Sequence, residues 1–488
     1  MINFEDLTIK RLHEGYKKDE FTCTEVIKQT FARIKKLEPQ IKAFITLTEK
    51  QALEKAQEVD KRINSGKELR ALEGVPYSAK DVFCTKGVQS TGGSGILEGF
   101  IPPYNATAIR KVEEVGAILI GKNNCDPFGF GSSTENSYYQ VTRNPWNTEY
   151  VPGGSSGGSA AAVSANMGIF SLGEDTGGSI RQPACFCSVS GLKVTYGLVS
   201  RFGVMSYGSS LDTIGAFAGT VEDLSVVLNV IAGKDEDDAT TSEQPRINYL
   251  LNLKENLPKL KIGLPKEYFT EDVDPEIIKA VKKAASDLTK QGHTVSEVSL
   301  PYTKYAIAAY YLSGISEVSA NLARYDGIRF GYSDQSGQDI NSVYLNSRGK
   351  RFEDEAKRRI MVGTYALSSG YYDAYYQKAQ QVRTLLKQDF ERKFQEYDLL
   401  IAPVSPVLPF KVGENMDDPL KMWLVDAFTV TINPSGIPSL AIPCGFSDSN
   451  LPIGMQIIGP MNSEKLLLQL ANQYQSITDW HLRKPRIK

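Results

Sequence analysis

Three short stretches of this chain hold side chains that could perform nucleophilic chemistry. Gly74-Val75-Pro76-Tyr77-Ser78-Ala79-Lys80-Asp81 ends a weakly apolar run on a lysine that is not part of a charged helix. Val151-Pro152-Gly153-Gly154-Ser155-Ser156-Gly157-Gly158-Ser159 and Gly173-Glu174-Asp175-Thr176-Gly177-Gly178-Ser179-Ile180-Arg181 are rich in glycine and hydroxyl groups. An ordinary lysine is a solvated or snorkelling cation. A lysine buried at a strand end is different, because desolvation favours the neutral amine. Beside hydroxyls, such an amine can activate a serine for attack on a carbonyl carbon. The glycine-rich loops have two other readings, a tight turn that uses positive φ or an anion cradle at a helix N-terminus. The first loop lacks the Gly-Lys-Ser/Thr ending of a nucleotide-binding loop, and no dinucleotide-binding spacing accompanies it. Tyr77 stands three residues before Lys80, so the Ser-x-x-Lys arrangement of β-lactamases does not fit.

Other chemistries are constrained by what the chain contains. His13, His293 and His481 are its only histidines, and none sits in a recognisable site motif. Cys23, Cys84, Cys125, Cys185, Cys187 and Cys444 lack metal-ligand spacing, since Cys185-x-Cys187 is too tight for a C-x-x-C knuckle. They read as reduced thiols of a cytoplasmic protein, and no metal is expected. Lys and Arg number 55 against 57 for Asp and Glu, a net charge of -2, which argues against a dedicated nucleic-acid binder. There is no run of 18 apolar residues and the first 20 residues carry charges along most of their length, so neither a membrane span nor a secretory signal is expected.

The elements that must position these groups alternate along the chain. Thr22 and Glu25 form a capping-box pattern ahead of Val26, Ile27, Phe31, Ile34 and Leu37 at helical spacing. Residues 43–47 read as a strand and 48–67 as a charged helix. A helix over 106–115 leads to a strand over 117–120, and a helix over 160–166 to a strand over 168–172. Residues 233–257 read as a polar surface excursion. Strands are expected at 261–264, 294–298, 399–403, 439–443 and 454–458, with helices at 275–291 and through most of 302–394. The alternation predicts an α/β fold: one large domain, 1–488, with a central mixed sheet covered by helices on both faces. Within it, residues to about 70 form a helical N-terminal region, about 71–220 the core around the loops, and about 300–488 the part that shapes a substrate pocket.

Lys80, the 153–159 loop and Thr176-Gly177-Gly178-Ser179-Ile180-Arg181-Gln182-Pro183-Ala184 together resemble the amidase signature family, in order as well as in type. The resemblance runs nearly the whole chain. It implies a Ser–cis-Ser–Lys relay with Ser179 as nucleophile, Ser155 as bridging serine after a cis Gly154–Ser155 peptide, and Lys80 as base. Ser179 would attack a carboxamide as its proton passes through Ser155 to neutral Lys80, and the reverse path would protonate departing ammonia. The resemblance also implies an oxyanion hole built from the N–H groups of Thr176, Gly177, Gly178 and Ser179, with glycine expected because a Cβ would crowd the substrate. One such donor is worth about 3–4 kcal/mol.

Segments 321–329, 357–361 and 364–376 resemble the family members that hydrolyse glutamine for tRNA-dependent amidotransferases. That likeness implies Arg359 for the glutamine α-carboxylate, Asp426 for its α-ammonium, and Tyr310 beside the substrate. It implies no cofactor in this chain, with ATP and magnesium on a partner B subunit that amidates Glu or Asp misacylated on tRNA. A small C subunit would hold the two together. A free-standing amidase acting on another amide, and a catalytically silent scaffold, are the alternative readings. The chain departs from the family pattern at Val82, Pro127, Gly129, Phe130, Val194 and Leu198, and at Pro434 and Ser435 within Asn433-Pro434-Ser435-Gly436, changes expected around the acyl pocket and the ammonia exit.

Overall fold

The capping box forms as its spacing predicts: the Thr22 N–H donates to Glu25 Oε2 at 2.8 Å and the Glu25 N–H donates to Thr22 Oγ1 at 3.1 Å. It opens the helix Cys23–Ile41, whose Val26, Ile27, Phe31, Ile34 and Leu37 are buried. The computed structural model describes residues 2–4, 7–245, 247–253 and 255–487. Among these, the strands in chain order are β1 Phe44–Leu47, β2 Pro76–Lys80, β3 Ile118–Asn123, β4 Phe170–Asp175, β5 Ser190–Lys193 and β6 Thr213–Ala218. They continue with β7 Lys261–Pro265, β8 Thr294–Val298, β9 Leu399–Pro403, β10 Ser439–Phe446 and β11 Pro452–Ile458. All join one mixed sheet in the order β1-β3-β2-β4-β6-β5-β10-β11-β9-β7-β8, flanked by helices.

Most strands of the middle of this sheet are buried along their whole length, which is why they read as unbroken runs of apolar and small residues. β2 pairs in parallel with both β3 and β4, so the C-terminal ends of β2 and β4 open on the same edge. Ligands in open α/β sheets bind beyond such carboxyl ends. Lys80 closes β2 one residue past the Ala79–Leu172 pair, and the Thr176–Ser179 loop leaves β4 beside it. Between them the short helix Gly157–Ser164 packs on β2 and β4 with every residue buried. It approaches so closely that a Cβ on Gly158 would lie 2.4 Å from the Asn124 carbonyl oxygen.

Residues 233–257 carry no strand, as expected of a polar excursion, but they are anchored; Arg246 and Lys254 lie outside the described residues. Asp235 accepts hydrogen bonds from Thr107 and Ser200, both at 2.6 Å, and Asp238 accepts the Arg201 N–H at 2.8 Å. A second, small apolar cluster stands apart from the main core: Leu211, Ala306, Tyr310, Tyr311, Leu386 and Val430. Apart from Leu211 it is drawn from the chain after residue 302, and its Tyr310 lies over the loop that leaves β4.

Candidate active site

Lys80 is fully buried, and its Nζ donates to Ser155 Oγ at 2.8 Å. The Gly154–Ser155 peptide is cis. The peptide is gripped on both sides, because the Gly154 N–H donates to Gln182 Oε1 at 2.8 Å and the Ser155 carbonyl accepts the Asp126 N–H at 3.2 Å. Ser179 follows on the next loop, where the Ser156 N–H donates to its carbonyl at 3.3 Å. The structure therefore joins Lys80 and Ser155 directly and brings the Ser179 backbone against the same loop. The Ser179 hydroxyl makes no hydrogen bond to the described residues and is the least buried group of its loop. The three histidines lie elsewhere: His13 on the Glu73 carbonyl, His293 between the Leu260 N–H and Gln473, and His481 in the C-terminal segment.

The loop after β4 is shaped by an ion pair beneath it. Asp175 Oδ1 accepts the Gly178 N–H at 2.9 Å, and its Oδ2 accepts the Ile180 N–H at 3.0 Å. Arg181 reaches the two oxygens with Nη2 at 3.0 Å and Nε at 3.1 Å, and neither side chain is exposed. Burial acts to raise Asp175, but the Arg181 guanidinium overrides it and holds the carboxyl well below the usual carboxylate range. This geometry corrects the expected oxyanion hole. The Gly178 N–H is engaged by Asp175, which leaves the N–H groups of Thr176, Gly177 and Ser179 without a hydrogen bond to the described residues. The reason for glycine differs as well. A Cβ on Gly177 would lie 2.4 Å from the Tyr310 ring, and one on Gly178 (φ +144°) would lie 2.3 Å from Thr429 Oγ1. The crowding comes first from the protein's own wall.

Tyr310 thus covers the loop, stacks on Tyr207 at 6.4 Å between ring centroids and meets Tyr311 edge-on at 5.0 Å. Arg359 is buried among the same rings, 5.3 Å from the centre of Phe130, 5.6 Å from Tyr207 and 5.8 Å from Tyr311. Its Nε donates to Glu355 at 2.7 Å and its Nη1 to the Tyr207 hydroxyl at 3.0 Å, while Nη2 makes no hydrogen bond to the described residues. Arg358 instead lies half exposed, paired with Glu355 on the surface. Asp426 is buried and accepts from Ser132 Oγ on Oδ2, while its Oδ1 has no partner among the described residues. Burial pushes its carboxyl up to about 7, opposed by the Ser132 hydroxyl. Thr429 ties this acid to the loop, its Oγ1 lying 2.7 Å from the Gly177 carbonyl and 3.0 Å from the Asp426 carbonyl. Ser132 ties it to the cis peptide, because Gln182 reaches the Ser132 carbonyl at 3.2 Å and the Gly154 N–H at 2.8 Å.

Several residues of the site carry no signal in the motifs. Glu174 is the most consequential: its Oε2 accepts from Lys80 Nζ at 2.8 Å, with both side chains buried. The amine expected to stand alone therefore has a carboxylate against it. The adjacent acid, Asp81, points away and pairs with Lys122 at 3.3 Å. Alternation along β4 could have flagged Glu174, since an acid on a buried strand needs a cationic partner. The departures from the family pattern at Gly129 and Phe130 do fall at the site. A Cβ on Gly129 would stand 3.5 Å from Glu174 Oε2 and 3.6 Å from Ser155 Oγ, and Phe130 lies under Arg359.

The Amidase family model matches residues 25–468. The A subunit of the glutamyl-tRNA(Gln) amidotransferase of Chloroflexus aggregans is 51% identical, over 99% of both chains. Its counterpart of the same name from a Sulfurihydrogenibium species is 49% identical over 98% of this chain and 99% of its own. Among solved structures, the A subunit of the glutamyl-tRNA(Gln) amidotransferase of Thermotoga maritima superposes with a TM-score of 0.83 at 36% identity, covering 100% of this chain and 99% of its own. The peptide amidase of Stenotrophomonas maltophilia does so with a TM-score of 0.83 at 28% identity, over 99% of both. A buried lysine on a serine after a cis glycyl peptide, the Gly-Gly-Ser loop and a full-length match lead to one statement: the chain belongs to the amidase family.

Proposed function

We propose that this chain is the glutamine-hydrolysing subunit of a tRNA-dependent amidotransferase, with Ser179 as nucleophile, Ser155 as bridge and Lys80 as the group that moves the proton. The observation that carries the reading is the wall above the loop, where Arg359 has an unused guanidinium nitrogen and Asp426 an unpartnered carboxylate oxygen among the described residues. A guanidinium suits an α-carboxylate and a buried, uncompensated acid suits an α-ammonium. Together they select a free amino acid, and Thr429 fixes the acid's backbone to the Gly177 loop. With the head group so held, a side-chain carboxamide would extend toward Ser179.

Ser179 would attack the amide carbon as its proton moves toward Ser155 and Lys80. The N–H groups of Thr176, Gly177 and Ser179 would bind the tetrahedral oxygen, and the reversed relay would protonate ammonia as it leaves. Tyr310 would limit the pocket beside Gly177. A partner B subunit with ATP and magnesium would use the ammonia on Glu-tRNA(Gln), and on Asp-tRNA(Asn) where that is the acceptor, while a C subunit would hold the other two together. No described helix is long and apolar enough to cross a membrane. The six cysteines are unpaired, which supports a cytoplasmic site of action. Identities near 50% along the full length to relatives named as A subunits favour this reading over a free-standing amidase.

The test is co-expression with neighbouring reading frames, followed by a glutaminase assay with and without misacylated tRNA. Ammonia release that rises on adding tRNA and ATP is expected. Fast hydrolysis of another amide, indifferent to tRNA and ATP, would favour the free-standing enzyme.

A further inference from the structure

A carboxylate in contact with the relay lysine changes what the relay can be. An opposite charge at hydrogen-bonding distance favours the ammonium over the free amine. Lys80 Nζ lies 2.8 Å from both Ser155 Oγ and Glu174 Oε2, so it connects a hydroxyl to a carboxylate. The carboxylate continues into a second acid. Thr176 Oγ1 contacts Glu174 Oε1 and also Asp212 Oδ1, the latter at 2.7 Å. A hydroxyl carries one proton, so both contacts are satisfied together only when one of these two carboxyls is itself protonated. Asp212 is held in turn by Ser206 Oγ at 2.9 Å and by the N–H groups of Tyr207 and Gly208 at 3.0 Å.

We propose that the relay extends one residue beyond Lys80: Glu174 is a positioning residue that fixes Lys80 Nζ on Ser155 and takes the proton that Lys80 passes on. The inference rests on the assignment of Ser179, Ser155 and Lys80 made above. During attack, an ammonium proton moves from Lys80 Nζ to Glu174 Oε2, the nitrogen lone pair so freed takes the Ser155 proton, and Ser155 Oγ takes the Ser179 proton. One O–H bond breaks at Ser179 and one forms at Glu174. Ser155 and Lys80 finish with as many protons as they began with. Negative charge leaves Glu174 and resides on the tetrahedral oxygen. On collapse, the C–N electron pair departs with nitrogen, which takes the proton returned along the same chain, and the Glu174 carboxylate is restored.

The titratable groups that face this pair come from four segments. They are Lys80 from β2, Cys125 and Asp126 after β3, Tyr207 and Asp212 before β6, and Glu174 itself. Burial first, and then the facing Glu174 charge, push Asp212 upward. That fits a proton held between the two acids.

The test reads Ser179 reactivity without presupposing the amide: the rate at which a fluorophosphonate probe labels Ser179 in the full-length protein, as a function of pH. Glu174→Gln leaves an oxygen for Lys80 but removes the proton acceptor. Labelling near neutral pH should slow about tenfold or more. Its acid limb should move to higher pH by about one unit or more, because Lys80 must now shed its proton to solvent. Asp212→Asn removes a like charge and should move the limb to lower pH. Glu174→Asp should keep the limb near its wild-type position. A Glu174→Gln limb that stays in place or moves to lower pH, or labelling at the wild-type rate, overturns the proposal. If Glu174→Gln does not fold, Glu174→Asp decides: a displaced limb overturns the proposal, and a retained limb with retained labelling supports it. Wild-type glutamine hydrolysis is scored separately. Its absence with the Glu174 shift intact removes the glutaminase reading and leaves this one standing.

Discussion

Asp175 accepts the N–H of Gly178 at 2.9 Å, and the same oxygen receives Arg181 Nη2 at 3.0 Å. The Thr176–Ser179 loop is therefore bent over a fully buried ion pair, and Asn433 adds a donor to Asp175 at 2.9 Å. Asp175→Ala would leave a buried guanidinium uncompensated, at a cost of about 3–5 kcal/mol. The denaturant midpoint at neutral pH should fall accordingly. Because the folded carboxyl is held below its ordinary value, its contribution is complete above about pH 4. It is lost as pH falls through the lower folded value. The gap between wild type and Asp175→Ala should therefore close only in strong acid.

Ser179→Ala should abolish ammonia release from glutamine, by about a thousandfold or more, with an unchanged melting temperature. Its hydroxyl makes no hydrogen bond to the described residues, so removing it costs no internal contact. Undiminished ammonia release would remove Ser179 as nucleophile.

Arg359 and Arg358 are neighbours in sequence with opposite surroundings, one buried among aromatic rings and one on the surface. Arg359→Met should raise KM for glutamine about thirtyfold or more, in line with about 2–5 kcal/mol for a desolvated charge contact. Arg358→Met should leave KM within about twofold, as a surface pair is worth about 0–1 kcal/mol. Steady-state glutaminase kinetics on the two variants would invert the assignment if the larger effect came from Arg358.

Asp426 binds an ammonium only when ionised, and burial has pushed its carboxyl up to about 7. Lowering the pH from alkaline to mildly acid should therefore raise KM for glutamine, with the change centred at or below about 7, since the bound cation favours the ionised form. Asp426→Asn should raise KM at every pH and flatten this dependence. A wild-type KM independent of pH across that window would remove the acid from the binding site.

Much of the scaffold is legible in the sequence because local chemistry sets it. The capping box at Thr22, the alternation of apolar runs with amphipathic helices and the two Gly-Gly-Ser loops are short-range patterns, and the α/β sheet follows from them. Strand β6 and the helix Val221–Ile231 are harder to read, since short apolar runs with small residues carry little periodicity of their own. The motif residues Lys80, Ser155 and Ser179 are marked by type and order alone. Their surroundings are not, because the contacts join residues far apart in the chain: Glu174 lies 94 residues from Lys80 and Asp426 lies 294 from Ser132. A carboxylate at position 174 stands out in the sequence only as an acid on a buried strand, with nothing to say which cation it meets. It becomes part of the site because β2 and β4 run side by side and end on one edge, in a space from which water is excluded and where every charge must find a partner.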